Sequence, residues 1–73
     1  MKANICGRKI KSLRKAAGMG QVELAAALMV DHHIKIDQSD ISEIERGVRG
    51  IRDYELKAFA MIFNVSVDLL LAD

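Results

Sequence analysis

The sequence predicts an all-helical fold of five short helices, and three observations support this prediction. Apolar residues recur at intervals of three and four positions, the spacing of one helix face. Long runs of β-branched residues, which favour strands, are missing. Proline is absent from the 73 residues, and 51% of the chain is hydrophobic, as in globular domains. We expect a single domain, residues 1–73, with a modest core.

Helix one is predicted over residues 5–17, where apolar side chains follow a helical period. Asn4 suits the N-cap position, and Gly18 is a natural C-terminal stop. Cys6 is the only cysteine, and we expect it to be a small, partly buried residue. A lone cysteine excludes an internal disulfide, which fits a reducing compartment.

Helix two is predicted from Gln21 to Leu28, with an extension to Val30 left open. Residues 31–37 then form an unusually long connection to helix three. Two apolar residues of this connection are expected to attach it to the body of the domain: Ile34 and Ile36.

Helix three is predicted over residues 38–46, with Asp37 as N-cap and Gly47 as the stop. Only Ile41 and Ile44 are apolar in this helix. Two isoleucines would anchor it, while its short polar side chains face outward. A polar outer face of this kind suits the reading of base edges in a major groove, so DNA binding is the leading hypothesis.

Helices four and five are predicted over residues 53–63 and 67–71. Asn64 is the expected left-handed stop between them, and Ser66 is the expected cap of the last helix. The side chains of helix four that should face the core are Leu56, Phe59, Ala60 and Phe63.

The charge distribution says more than the net charge of +1. No acidic residue precedes Glu23, and the first basic group is Lys2, Arg8, Lys9, Lys11, Arg14 and Lys15. A second basic group follows helix three: Arg46, Arg49 and Arg52. The first group is either a solvated face or, through Arg8, Lys9 or Lys11, a contact with a DNA backbone.

Neither metal binding nor catalysis is expected. Adjacent histidines such as His32 and His33 point in different directions, and no further ligand stands at a suitable spacing. We expect them to be solvated loop residues, with a phosphate contact in the protonated form as the alternative. Asp40, Ser42 and Glu43 on one helix do not supply a nucleophile, a base and an orienting group. We therefore expect that the chain is not an enzyme and that it uses no cofactor.

Five segments together resemble the Cro/C1-type (Xre-like) helix-turn-helix family. They are GRKIKSLR (residues 7–14), GMGQVELA (18–25), SDISEIERG (39–47), DYELKA (53–58) and NVSVDLL (64–70). Each segment is a weak signal, but their order and spacing are specific. The resemblance implies a compact five-helix, lambda-repressor-like DNA-binding domain. Helices two and three would form the helix-turn-helix, with helix three in the major groove.

The resemblance also implies roles for individual residues. Gln38, Ser39 and Glu43 fall where family members contact base edges, and Ser42 is a neighbouring candidate. Gln21 falls at the usual phosphate-contact position. Apart from the resemblance, the two basic groups supply the further candidates for backbone contact: Arg46, Arg49, Arg52, Arg8 and Lys9. Arg14 and Glu45 match a pair that forms an internal salt bridge in the family.

Two features depart from the family pattern. The connection at residues 31–37 is longer than the usual turn, and we interpret it as a lengthened turn. Helix three is also acidic. Phosphates repel Glu43 unless its carboxylate accepts a hydrogen bond from cytosine N4.

The function expected from these observations is sequence-specific transcriptional regulation on double-stranded DNA. A phage-type or mobile-element repressor fits, and so does an antitoxin with a toxin partner. A module that binds only proteins is the alternative class. With no apolar run near 20 residues and no signal-peptide pattern, we expect no membrane association and a cytoplasmic location.

A homodimer is expected because a single recognition helix covers few base pairs. Helix four has more apolar surface than one core needs, and the last helix has three consecutive leucines. The candidate dimer patch is Met61, Ile62 and Leu71. The alternative is that these are scattered apolar residues of an ordinary surface.

Overall fold

A computed structural model describes residues 2–72 of the chain. Five helices follow one another: α1 (Gly7–Ala16), α2 (Gln21–His32), α3 (Gln38–Glu45), α4 (Asp53–Phe63) and α5 (Val67–Leu71). Within residues 2–72 there is no strand. The all-helical fold class predicted from the sequence is therefore confirmed.

The five helices pack around one cluster of buried apolar side chains. α3 and α4 each contact both α1 and α2, while α5 lies against α4. The fully buried large side chains are Ile10, Leu24, Leu28, Ile41, Ile44, Phe59 and Leu70. Every helix contributes at least one of them. Helices of 5 to 12 residues are marginal in isolation, so this shared packing is what stabilises them.

α1 begins two residues later than predicted. Asn4 still satisfies the start of the helix, since its Oδ1 accepts hydrogen bonds from the N–H groups of Cys6 (2.9 Å) and Gly7 (2.7 Å). Gly7 packs directly on the end of α3. A Cβ atom there would overlap the carbonyl oxygen of Ile44 and lie 2.8 Å from that of Glu45. Only glycine permits this approach.

α2 is longer than predicted and ends at His32. No glycine or proline interrupts residues 29–32, so helical hydrogen bonding continues until His33 adopts a left-handed conformation at φ 56°. The buried Ile34 then turns the chain inward, and its N–H donates to the Leu28 carbonyl (3.1 Å). The connection to α3 shortens to residues 33–37. The placement of His32 in a loop was wrong, because it lies in the last turn of α2.

The other helix ends follow the sequence expectations closely. α1, α3 and α4 are each followed by a residue with positive φ: Gly18 (71°), Gly47 (77°) and Asn64 (54°). α3 is one residue shorter than predicted, with Arg46 as its C-cap. At α5 the Ser66 hydroxyl accepts from the Leu69 N–H (3.0 Å). The predicted bounds of α4 and α5 are confirmed.

Candidate nucleic-acid interface

α3 presents a polar face because its two isoleucines, Ile41 and Ile44, are fully buried. Its first turn is fixed by a reciprocal cap. The Asp40 N–H donates to the Asp37 carboxylate (2.9 Å), and the Asp37 N–H donates to the Asp40 carboxylate (3.1 Å). Two of the acidic residues around α3 are thus engaged where the helix dipole favours negative charge.

The polar side chains of α3 and the start of α2 line one open concavity of about 380 Å³. Its lining residues are Gln21, Gln38, Ser39, Ser42, Glu43 and Arg46. The four residues predicted to contact bases lie here together, beside two of those predicted to contact the backbone. The sequence could not show that these six form one surface, because the turn between α2 and α3 sets their relative position.

Gln21 connects this concavity to the interior. Its Oε1 accepts from Gln38 Nε2 at 3.4 Å, and its Nε2 donates to Glu45 Oε1 at 3.1 Å. Glu45 in turn accepts two hydrogen bonds from Arg14. A relay of hydrogen bonds therefore orients two amide side chains before any ligand binds, and such preorganisation lowers the entropy lost on binding.

Arg14 and Glu45 form the ion pair that the family resemblance implies. Arg14 Nε and Nη2 donate to Glu45 Oε2 (2.6 Å) and Oε1 (3.0 Å), and the two residues are only 8% and 6% exposed. The hydrogen bond to Glu45 raises the pKa of Arg14 above its ordinary value, although burial opposes this. Arg14 Nη1 also donates to the Met19 carbonyl (2.9 Å). The pair thus joins α1, α3 and the turn before α2.

A second ion pair, Arg49–Glu55, was not anticipated from the sequence. Arg49 Nη1 and Nη2 donate to Glu55 Oε1 (3.1 Å) and Oε2 (3.0 Å), and Arg49 Nε lies 3.7 Å from Asp40 Oδ1. The Arg52 N–H also donates to Glu55 Oε1 (2.9 Å). Burial raises the pKa of Glu55, but the hydrogen bonds from Arg49 and Arg52 outweigh it, so the pKa lies below its ordinary value.

This second pair has a recognisable sequence signal. Glu55 stands three and four positions before Ala58 and Phe59, both of which are buried. A carboxylate on the inward face of an amphipathic helix requires a cationic partner. The guanidinium of Arg49 therefore anchors the loop between α3 and α4, and its contact with a DNA backbone stays a prediction.

The remaining basic candidates differ in how far they are engaged within the protein. Arg8 and Arg52 are exposed, and each stays a candidate for backbone contact. Lys9 is half-buried, and its Nζ donates to the carbonyl oxygens of Leu69 (3.0 Å) and Ala72 (2.8 Å). These are carbonyls at the end of α5, where a cation is favoured. A phosphate contact by Lys9 would require it to leave them.

The candidate dimer patch is divided in the structure. Met61 is 61% exposed and Leu71 is 43% exposed. Ile62, in contrast, is half-buried and packs against the core. It stands seven positions after the buried Glu55, on the same helix face. Of the three residues, Ile62 is thus the one least available to a partner.

The described residues offer neither a metal site nor a helix that could span a membrane. Among residues 2–72, no group of three or more histidine, cysteine, aspartate or glutamate side chains could hold a metal ion. No helix in that range has the length and apolar character needed to cross a membrane.

The arrangement of α2 and α3 defines a helix-turn-helix DNA-binding domain. A family model described as helix-turn-helix matches residues 10–70. The chain belongs to the Cro/C1-type helix-turn-helix family. Searches of curated proteins and of solved structures found no match. Membership of this family supports the general function of a DNA-binding transcriptional regulator. The family consists of regulatory domains, not of enzymes.

Proposed function

We propose that the chain is a sequence-specific repressor of the phage or mobile-element type, which reads the major groove with α3. The observation that supports this most strongly is the concavity shared by α2 and α3. Its six lining residues all carry polar side chains. Base edges in the major groove are recognised by such donors and acceptors.

The chemistry of the concavity suggests how each residue reads DNA. A glutamine such as Gln38 pairs through two hydrogen bonds with adenine, and serine hydroxyls such as those of Ser39 and Ser42 pair with several bases. Glu43 accepts a hydrogen bond from cytosine N4, which offsets the repulsion between its carboxylate and nearby phosphates. Gln21, Arg46 and Arg52 contact the backbone and set the register of α3.

Selection of bound duplexes from a random pool tests this assignment. Gln38→Ala and Glu43→Ala should each change the selected sequence at one position per half-site, with a loss of about 1–3 kcal/mol for the original base pair. Lys11→Ala is the matched control, because Lys11 is exposed and lies outside the concavity. It should leave the selected sequence unchanged. If both concavity variants select the wild-type sequence, α3 does not read bases through these side chains.

We also propose that the working unit is a homodimer that includes Met61 and Leu71. Both side chains are exposed, and two-fold dimers reach half-sites about 34 Å apart. Met61→Glu should shift sedimentation at micromolar concentration from dimer to monomer while leaving the helical circular dichroism intact. Lys57→Glu, another exposed position of α4, is the control. A wild-type monomer with and without operator would exclude the dimer.

An antitoxin is the second candidate function, and one feature favours it. α2 carries exposed apolar residues at helical spacing: Val22, Ala26, Met29 and Val30. Contact with DNA does not need such a stripe, whereas a bound toxin would cover it. Co-purification with the product of the adjacent gene, abolished by Val30→Glu, would support this role.

Failure to bind any native-locus DNA at low salt would instead favour a module that binds only proteins.

A further inference from the structure

The N-terminal segment before α1 lies against the C-terminal end of α3. The Ala3 N–H donates to the Gly47 carbonyl at 2.7 Å. Asn4 Nδ2 donates to the carbonyl oxygens of Ile44 (3.1 Å) and Arg49 (2.7 Å). These three hydrogen bonds fix the path of the segment, and they place Lys2 next to the end of the recognition helix.

Three residues with cationic side chains are among those that line a small cavity at this position: Lys2, Arg8 and Arg46. Lys2 runs over Gly47, where a Cβ atom would lie 3.4 Å from Lys2 Cγ. Within residues 2–72, none of the three cations forms an ion pair with an acidic side chain. Glu45 also lines the cavity, but its carboxylate already accepts hydrogen bonds from Arg14 and Gln21.

We infer that this cavity binds one phosphate group of the operator backbone in each half-site, with Lys2 as a contact residue. The inference rests on the proposed function, because its ligand is bound DNA. The cavity has a volume of about 20 Å³, which is room for about one water-sized group. One phosphate oxygen fits this volume, and the rest of the phosphate group stays outside the cavity.

The position of Arg46 supports a DNA phosphate as the ligand. Arg46 lines both this cavity and the concavity that carries the base-reading side chains. A phosphate bound here therefore belongs to the same duplex that α3 reads. Like charges around one cavity repel each other in the free protein, and a bound anion relieves that repulsion. Planar guanidinium groups such as those of Arg8 and Arg46 suit phosphate oxygens.

The salt dependence of binding tests the site. Fluorescence anisotropy would measure the binding constant of the full chain for two duplexes, one with the sequence selected by the wild type and one with a scrambled sequence. Lys2→Gln should reduce the slope of log K against log salt by about 1, to the same extent on both duplexes. Lys2→Arg should retain the wild-type slope. Lys15→Gln is the matched control, because Lys15 is exposed on α1 but does not line the cavity.

Neutral methylphosphonate linkages, introduced one at a time into the selected duplex, locate the contact. At one position per half-site, the neutral linkage should weaken binding of the wild type more than binding of Lys2→Gln, which keeps only Arg8 and Arg46 at that phosphate. The inference would be overturned if Lys2→Gln and wild type had equal slopes, or if each linkage weakened both proteins equally. In either case, specific binding by wild type would still support the proposed function. A wild type that prefers no sequence would overturn that function as well.

Discussion

The two buried ion pairs of the domain use the same chemistry in different settings. Arg14–Glu45 joins residues 31 positions apart, with side chains that are 9% and 2% exposed. Arg49–Glu55 joins residues six positions apart, and the arginine side chain is 26% exposed. The first pair connects two separate helices, α1 and α3, and is hydrogen-bonded to Gln21 of the concavity. The second attaches a loop to the helix that follows it.

This difference predicts which pair matters more for stability and for DNA binding. Removing one partner of a fully buried pair leaves an uncompensated charge that water cannot reach. Removing the Arg49 side chain, which is 26% exposed, leaves Glu55 with the Arg52 N–H still donating. The side chains of the first pair are connected to the concavity through Gln21. Arg49 is connected to it through the hydrogen bond from its backbone N–H to the Glu43 carbonyl (3.3 Å), not through its ion pair.

The largest expected effect is that of Arg14→Ala. It leaves Glu45 buried with Gln21 as its remaining hydrogen-bond donor, and it removes the bond to the Met19 carbonyl. We expect a loss of about 3–5 kcal/mol in the free energy of unfolding, measured by urea denaturation. Lys11→Ala, on the exposed side of α1, should change it by less than about 0.5 kcal/mol.

A double variant separates the charge from the packing. Arg14→Met combined with Glu45→Met removes both charges and keeps apolar volume, so it should recover much of the lost stability. Equal losses for Arg14→Ala and Lys11→Ala would contradict the assignment of a buried pair. A double variant no more stable than Arg14→Ala would show that the bond to Met19, and not the unpaired charge, accounts for the loss.

The sequence predicted these two pairs unequally, for a physical reason. No local pattern connects Arg14 with Glu45. The inward phase of Arg14 on helix one indicated a buried partner, and the family resemblance identified that partner as Glu45. Glu55 could have been recognised from its inward phase on α4, but its partner Arg49 depends on the path of the loop. The same limit applies to the end of α2. Without a glycine or proline, the end of that helix depends on the left-handed conformation of His33 and on the burial of Ile34.

The next largest effect is that of Glu55→Gln on the free energy of unfolding and on its dependence on pH. The pKa of Glu55 in the folded protein lies below its ordinary value, so its carboxylate stabilises the fold above that value. This contribution disappears as the pH falls through the folded pKa. At neutral pH, Glu55→Gln should lower the free energy of unfolding by about 1–3 kcal/mol. Between neutral pH and about pH 3, its stability should fall less steeply than that of wild type.

Asp53→Asn is the matched control for this titration, because Asp53 is exposed in the first turn of α4. Its stability should follow the wild-type curve more closely than that of Glu55→Gln. Parallel curves for wild type and Glu55→Gln throughout the acidic range would mean that the carboxylate is not held by Arg49 and Arg52 in the folded protein.

Regions of the molecule that depend on local chemistry were predicted more accurately than regions that depend on tertiary placement. Asp37, Ser66 and Asn64 fix helix ends through their own side chains or backbone preference, and their roles follow from residue type. The concavity and the ion pairs depend on how helices meet. For Lys9, the hydrogen bonds to the carbonyl oxygens of Leu69 and Ala72 could not be predicted from residue type, and its contact with a DNA backbone stays a prediction.

The smallest expected effect tests whether the first pair alone is coupled to DNA reading. Gln21→Ala removes one hydrogen bond to Glu45, but Arg14 still binds both carboxylate oxygens, so stability should fall by about 1 kcal/mol or less.

The effect of Gln21→Ala on operator affinity should depend on Gln38, because Gln21 orients that side chain. A double-mutant cycle of Gln21→Ala and Gln38→Ala should therefore give a coupling of about 0.5 kcal/mol or more. The same cycle with Arg49→Ala should be additive, since Arg49 and Gln38 share no hydrogen-bond partner within residues 2–72. Coupling of equal size in both cycles would mean that the two ion pairs support the reading surface alike.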